Sequence, residues 1–267
     1  MDTATFELFR DLVYDRSGIS LRDGKEVLVT ARIGKRMRAL GLNEPRQYYE
    51  CVLADGSGRE LARLIDAIST NVTSFFREPD HFDYLRQAAA GWLAAGGARI
   101  RVWCAASSTG EEPYTLAMVL DEVVGAQPVD LKILATDINT DVLARATAGL
   151  YEPEKLAPVP PALRARYFQK VNGPDGPAAQ VVEALRQRVV FRRLNLAETP
   201  YALKGPLDAV FCRNVMIYFD NELRGRILGE AFRLLRPGGI LVVGHAESLT
   251  GLAGGLRPVR PSVYVKP

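Results

Sequence analysis

The segment IRVWCAASSTGEEPYTLAMVLDEVV, Ile100 to Val124, passes from a short β-branched and aromatic run, through a loop of small residues, into a helical stretch. The same rhythm repeats downstream. LKILATDI is followed by the helix-like NTDVLARATAG, and then come VVFRRLNL, LDAVFCRNV, the helix NELRGRILGEAFRLL and GILVVGHAE. Strands that alternate with helices predict a parallel sheet covered on both faces, an α/β fold. In LRPGG, Pro237 and Gly238 fall just past the last turn of the long helix, as helix ends favour. A late apolar segment, SVYVK, predicts an added edge strand. Between Tyr151 and Arg188 a Pro- and Gly-rich insert interrupts the rhythm, with the turn signal NGPDG between two short strands. It predicts a hairpin-like β-subdomain at about 152–188; the plainer reading is a long connection without special purpose.

Upstream the period is helical. Phe6, Phe9 and Val13, then Val29, Ile33, Met37 and Leu40, then Leu61, Leu64 and Ile65 recur at the spacing of one helix face. The chain therefore divides into a helical N-terminal domain over 1–69, a linker and entry helix over 70–98, and an α/β domain over 99–267. In VLVTARIGKRMRALGL the apolar residues gather in a narrow arc and leave Arg32, Lys35, Arg36 and Arg38 elsewhere. That basic side is either a solvated face or a docking surface for an acidic partner.

Composition narrows the function classes. A chain of 267 residues, 24% charged and 48% hydrophobic, is an ordinary soluble globular protein. No apolar run approaches the roughly 20 residues that cross a bilayer, and the acidic, amphipathic N-terminus lacks the features of a secretory signal. A cytoplasmic location is expected. Cys51, Cys104 and Cys212 form no C-x-x-C and are read as reduced thiols. A net charge of +3 does not argue for nucleic acid. With His81 and His245 alone, neither in H-E-x-x-H, no metal site is expected, and no G-x-S-x-G marks a serine hydrolase.

Ligands of open α/β sheets bind beyond the carboxyl ends of the strands. That rule selects the loop after VWCA, Asp137 after ILAT, Asn195 and Leu196 after FRR, and Arg213 and Asn214 after AVFC. The loop CAASSTGEEPYT has Gly110 for close backbone approach but neither G-x-G-x-x-G nor a P-loop lysine, which disfavours a phosphate ligand. It supplies Glu111 and Glu112 near a helix start, where they either suit the helix dipole or receive an ammonium group. Asp137 can accept hydrogen bonds from both hydroxyls of a ribose. These acidic groups together imply a nucleoside ligand with positive charge and no phosphate, a description that S-adenosylmethionine fits.

TNVTSFFREPDHF, CAASSTGEEPYTLAM, ATDI, RRLNL, FCRNVMIYFD and LRPGGILVVGHAESL, in this order, resemble the CheR family of chemotaxis receptor methyltransferases over nearly the whole chain. The resemblance implies a Rossmann-like S-adenosylmethionine-dependent methyltransferase sheet with a small all-α N-terminal domain and an inserted small β-subdomain. It also implies methyl transfer to glutamate side chains on the cytoplasmic helical bundle of chemoreceptors, with S-adenosylhomocysteine as the other product. Asn71, Thr73 and Arg77 resemble family positions that line the cofactor pocket. Glu111 and Asp137 resemble those that hold the methionine end and the ribose, and Asn195, Leu196, Arg213 and Asn214 match further lining positions. Tyr218 resembles the family tyrosine near the transferred methyl, and the insert resembles a subdomain that in some members docks a receptor-tail peptide.

In that setting Arg77 can offer a planar fork to a carboxylate, while Phe75 and Phe76 are expected to keep the pocket dry. Otherwise Arg77 pairs with Glu78 or another acid and the phenylalanines are ordinary core. Arg32, Lys35, Arg36 and Arg38 would steer acidic receptor helices. Two other readings stand beside this one: the same cofactor with a nucleic-acid or amine acceptor, although RNVMIYF lacks the prolines of an Asn-Pro-Pro-Tyr loop, or a non-catalytic module that senses the cofactor.

Overall fold

The computed structural model describes residues 1–174, 176–249, 251–252 and 254–267. Four helices open the chain: α1 (Thr3–Ser17), α2 (Glu26–Ala39), α3 (Pro45–Ala54) and α4 (Arg59–Ile68). Asp2 caps α1 by accepting from the Thr5 N–H at 2.9 Å, and Gly18 ends it in the left-handed region at φ 71°. Phe6, Phe9, Val13, Val29, Ile33, Met37, Tyr48, Val52, Leu64, Ile65 and Ile68 share one core. Each such side chain contributes about 1.5–3 kcal/mol when fully buried. Leu40 lies past the end of α2 and is 40% exposed, so the apolar arc stops at Met37.

Helix α5 (Asp80–Ala94) leads into β1 (Arg99–Cys104), α6 (Glu111–Val124), β2 (Asp130–Asp137) and α7 (Thr140–Ala148). The insert follows as β3 (Leu150–Tyr151), a short 3₁₀ turn, α8 (Pro161–Tyr167), β4 (Phe168–Gly173), β5 (Gly176–Val181) and α9 (Glu183–Arg186). The chain ends with β6 (Val189–Arg193), β7 (Leu207–Cys212), α10 (Asn221–Leu234), β8 (Leu235–Val243), β9 (Arg257–Arg260) and β10 (Val263–Val265).

The main sheet has seven strands in the order β6-β2-β1-β7-β8-β10-β9. The first five run parallel, and β10 and β9 are antiparallel additions. Because strand side chains alternate, Ile100, Val102, Cys104, Ala209 and Phe211 face the layer of α5 and α6, whereas Trp103, Val210 and Cys212 face α10. The expected helical cover on both faces is therefore present. The SVYVK segment is not the edge: β10 lies between β8 and β9, because Arg257–Arg260, too charged to read as a strand, pairs along its outer side.

The insert forms a separate antiparallel sheet, β3-β5-β4, in which β4 and β5 pair from Phe168↔Val181 to Gly173↔Gly176. The NGPDG turn includes position 175, which lies outside the described residues.

Candidate active site

A cleft opens beyond the carboxyl ends of β1, β2, β6 and β7, at the side where the helical N-terminal part meets the sheet. Asn71, Thr73, Arg77, Asp137, Asn195, Leu196, Arg213, Asn214 and Tyr218 all line it, although they come from four separated stretches of chain. Glu111 does not. Its carboxylate turns aside to accept from the Thr109 hydroxyl at 2.6 Å, and the neighbouring Glu112 lines the cleft instead. At a helix start, successive side chains point about 100° apart, and here that rotation turns Glu111 toward Thr109 while Glu112 faces the cavity.

Asp137 ends β2 and is nine-tenths buried. Its oxygens accept from the Ser108 N–H at 2.8 Å and the Asn139 N–H at 3.0 Å, one bond each. A carboxylate has about four lone-pair sites, so two acceptors remain for a ligand. Burial pushes its pKa up, with a smaller push from Asp66, and the amides of Asn139, Ser108 and Ile138 oppose that without cancelling it.

Arg213 is only 4% exposed. Nη1 donates to Glu112 at 2.6 Å and Nη2 to Glu78 at 2.9 Å. Burial alone would lower the guanidinium pKa; Glu112 and Glu78 outweigh it and the net shift is upward. For Glu78 burial acts to raise the pKa, but the bonds from Arg213 and Asn214 prevail and hold it below the usual carboxylate value. The cleft is thus less acidic than Asp137, Glu111 and Glu112 suggest in sequence, because a buried arginine is balanced by two glutamates.

Arg77 has no such partner. Its Nη1 donates to the Val72 carbonyl at 3.0 Å, and among the described residues it makes no ion pair, with Glu78 or otherwise. Both its neighbours are left-handed, Phe76 at φ 54° and Glu78 at φ 58°. Non-glycine residues hold that conformation only where the surroundings enforce it, and here the tight turn aims Arg77 into the cleft and Glu78 at Arg213.

The aromatic pair does not dry the pocket. Phe75 is buried edge-on to Tyr151 and Phe168, with ring centroids 4.9 and 5.5 Å away, and Phe76 stacks edge-on to Phe82 at 5.7 Å. Both anchor the linker in the core. The apolar walls are Ile19, Ile68, Ile138, Leu194, Leu196 and Phe219. Ser17 and Ile19, at the end of α1, carry no sequence signal of a site role, since only tertiary contact brings them there. Glu78 was identifiable only as a possible partner of Arg77, not of Arg213.

The four basic residues of α2, Arg32, Lys35, Arg36 and Arg38, divide into two pairs. Arg36 makes a two-pronged bond to Glu60 at 2.9 and 2.7 Å, which Tyr48 supports at 3.0 Å, and Arg32 caps the end of α4 through the Ile68 carbonyl and Thr70. Only Lys35 and Arg38 are exposed. Glu78, His81 and His245 bring one ligand atom each within 4.8 Å of one another. Glu78 already bonds Arg213, whose charge opposes a cation at that point, and His245 lies 3.2 Å from Asp80.

These residues fit S-adenosylmethionine. Asp137 keeps acceptors for a diol, the apolar walls suit a flat ring, Arg77 suits a carboxylate, and among the described residues no lysine lines the cleft to favour phosphate.

The comparisons agree with this geometry. A sequence profile described as CheR methyltransferase, SAM binding domain, matches residues 71–265, and one described as CheR methyltransferase, all-alpha domain, matches residues 4–69. The chain is 40% identical over 259 residues to chemotaxis protein methyltransferase 2 of Pseudomonas aeruginosa, covering 97% of this chain and 91% of that one. It is 40% identical over 252 residues to the chemotaxis protein methyltransferase of Salmonella typhimurium, covering 94% and 86%. The one from Borreliella burgdorferi is 34% identical over 262 residues, covering 96% and 91%. The chain belongs to the CheR methyltransferase family, and its sheet is an S-adenosylmethionine-binding methyltransferase domain.

Proposed function

We propose that the protein methylates glutamate side chains on the cytoplasmic helical bundle of chemoreceptors, forming glutamate methyl esters, and that it works in the cytoplasm. No helix among the described residues is long and apolar enough to cross a membrane. The observation that carries the reading is Arg77, whose guanidinium lines the same cleft as Tyr218 and Asp137 and, among the described residues, pairs with no carboxylate.

Bound S-adenosylmethionine supplies the methyl group on a sulfonium cation. A glutamate acceptor, with an ordinary pKa near 4.3, is already ionised at neutral pH and needs no general base. The cleft suits that requirement: Glu112 is paired with Arg213, and Asp137 is set for the cofactor by two backbone amides. What the chain contributes is alignment and exclusion of water, and alignment of this kind supplies roughly 7–11 kcal/mol of barrier reduction. Arg77 orients a carboxylate, the acceptor's or the cofactor's; Tyr218 bounds the transfer point; Asn71, Thr73, Asp137, Asn195, Leu196, Arg213 and Asn214 hold the cofactor, with Glu112 in the role first expected of Glu111.

Lys35 and Arg38 are the residues of the basic helix available to an acidic receptor helix. A receptor-tail peptide would add to β4, the edge of the small sheet, where Lys170 and Asn172 are exposed.

The decisive assay incubates the protein with radiolabelled S-adenosylmethionine and receptor cytoplasmic fragments. Label released by mild alkali marks an ester and supports the proposal. Alkali-stable label points to an amine or nucleic-acid acceptor, and tight cofactor binding with no turnover points to a sensing module.

A further inference from the structure

Glu247 lies in the turn after β8, outside the cleft lining, and is 6% exposed. Among the described residues it makes no ion pair. Among the described residues its carboxylate is held by backbone amides: Oε2 accepts from the Asn214 N–H at 2.8 Å and the Gly244 N–H at 2.7 Å, and Oε1 from the Met216 N–H at 2.7 Å. Two of these donors belong to the segment after β7, the third to the end of β8. Charge-assisted bonds to amides are shorter and stronger than neutral ones, so one side chain ties two strand ends together.

The tied segment turns sharply: Asn214 sits in the left-handed region at φ 57°, which asparagine adopts more readily than other non-glycine residues. Packing is close enough that a Cβ at Gly244 would collide with the Asn214 side chain and reach 2.9 Å from the Glu247 carboxylate. The segment also carries Arg213, Asn214 and, through the 3₁₀ turn Met216–Tyr218, the tyrosine of the cleft.

We infer that Glu247 is a positioning residue: its carboxylate staples residues 213–216 to the end of β8 and thereby sets where Arg213, Asn214 and Tyr218 stand in the cleft. It touches no ligand itself. A carboxylate is required because all three donors converge on it, and an amide offers one acceptor oxygen with an NH₂ in place of the other. The inference deepens the proposed methyl transfer and rests on that reading only for its turnover measurement.

The test compares wild type, Glu247→Gln and Glu247→Asp in three measurements: S-adenosylhomocysteine affinity by calorimetry, hydrogen exchange at the Asn214, Met216 and Gly244 amides, and methyl transfer to a receptor fragment. Glu247→Gln is expected to weaken binding about tenfold, lower kcat by more than KM changes, and speed exchange at those three amides while the rest of the sheet stays protected. Glu247→Asp, which keeps the charge but withdraws it by one methylene, is expected to lie between. Folded Glu247→Gln with wild-type affinity and kcat overturns the inference, as does an activity loss that follows only the unfolded fraction. If Glu247→Gln does not fold, the same criteria apply to Glu247→Asp, and wild-type values in that variant overturn it. Wild-type protein that binds S-adenosylhomocysteine but methylates no receptor fragment refutes the proposed acceptor and leaves the binding and exchange measurements to decide the staple.

Discussion

Arg213 carries a full charge at a position almost closed to water, and it is stable there because Glu112 and Glu78 each take one arm. Burying an ion costs several kcal/mol unless its partners are well placed, and removal of one member leaves the others uncompensated. Arg213→Ala is therefore expected to cost about 3–5 kcal/mol in urea unfolding. Glu78 gives the arrangement an acid limit. Its folded pKa lies below the ordinary value, so its contribution is complete above the unfolded value near 4.3 and is lost as pH falls through the lowered one. Arg77 contrasts with this. It gives up only a bond to the Val72 carbonyl, so Arg77→Ala should leave unfolding within about 0.5 kcal/mol of wild type while methyl transfer drops roughly a hundredfold, the scale expected for a misaligned reactant. Unimpaired turnover would show that Arg77 orients nothing.

Helix α2 has separate structural and solvent-facing charges. Val29, Ile33 and Met37 are buried among the other N-terminal helices, Arg36 is locked to Glu60, and Lys35 and Arg38 point outward. Charge reversal of the two kinds should separate cleanly. Lys35→Glu with Arg38→Glu is expected to slow methylation of receptor fragments, more at low salt than at high, with little change in stability. Arg36→Glu would set a carboxylate against Glu60 and is expected to destabilise by about 2–4 kcal/mol, measured by denaturant midpoint. A double variant at 35 and 38 whose rate is unchanged at every ionic strength would remove α2 from the docking surface.

At the scale of the whole molecule, the helical part is a wall of the active site. The Ser20 N–H donates to the Tyr218 carbonyl at 2.9 Å, the Asn195 side chain donates to the Arg16 carbonyl at 2.8 Å, and Tyr14 bonds Asp220. Global stability should also carry the signature of one buried histidine. His81 is fully buried with neither ring nitrogen hydrogen-bonded, and burial first, then Arg213, pushes its pKa down to about 4. Asp80 and Glu78 pull the other way, and His245 reinforces the downward shift. Between the ordinary value near 6.5 and about 4 the unfolded chain binds a proton that the folded one refuses, so stability falls as pH drops through that window. The loss is on the order of 3 kcal/mol. Equilibrium unfolding between pH 7.5 and 5 should fall steeply for wild type and less for His81→Gln; parallel curves would mean that His81 is not the cause.

The alternation of strand and helix from Ile100 onward, the apolar periods of Phe6–Val13 and Val29–Met37, and the residues at strand ends were all legible in the chain, because side-chain periodicity and strand-end chemistry are local properties. Local patterns cannot say which of two adjacent glutamates faces a cavity, which is why Glu112 and not Glu111 lines the cleft, nor whether Phe75 and Phe76 meet ligand or core. Nor do they distinguish Arg36, bound inside, from Lys35, facing out. Sequence alone determined the alternation of strand and helix and the types of group gathered at the strand ends; tertiary structure decided which groups meet, because buried charges choose partners by distance and desolvation, and both exist only once the chain has closed.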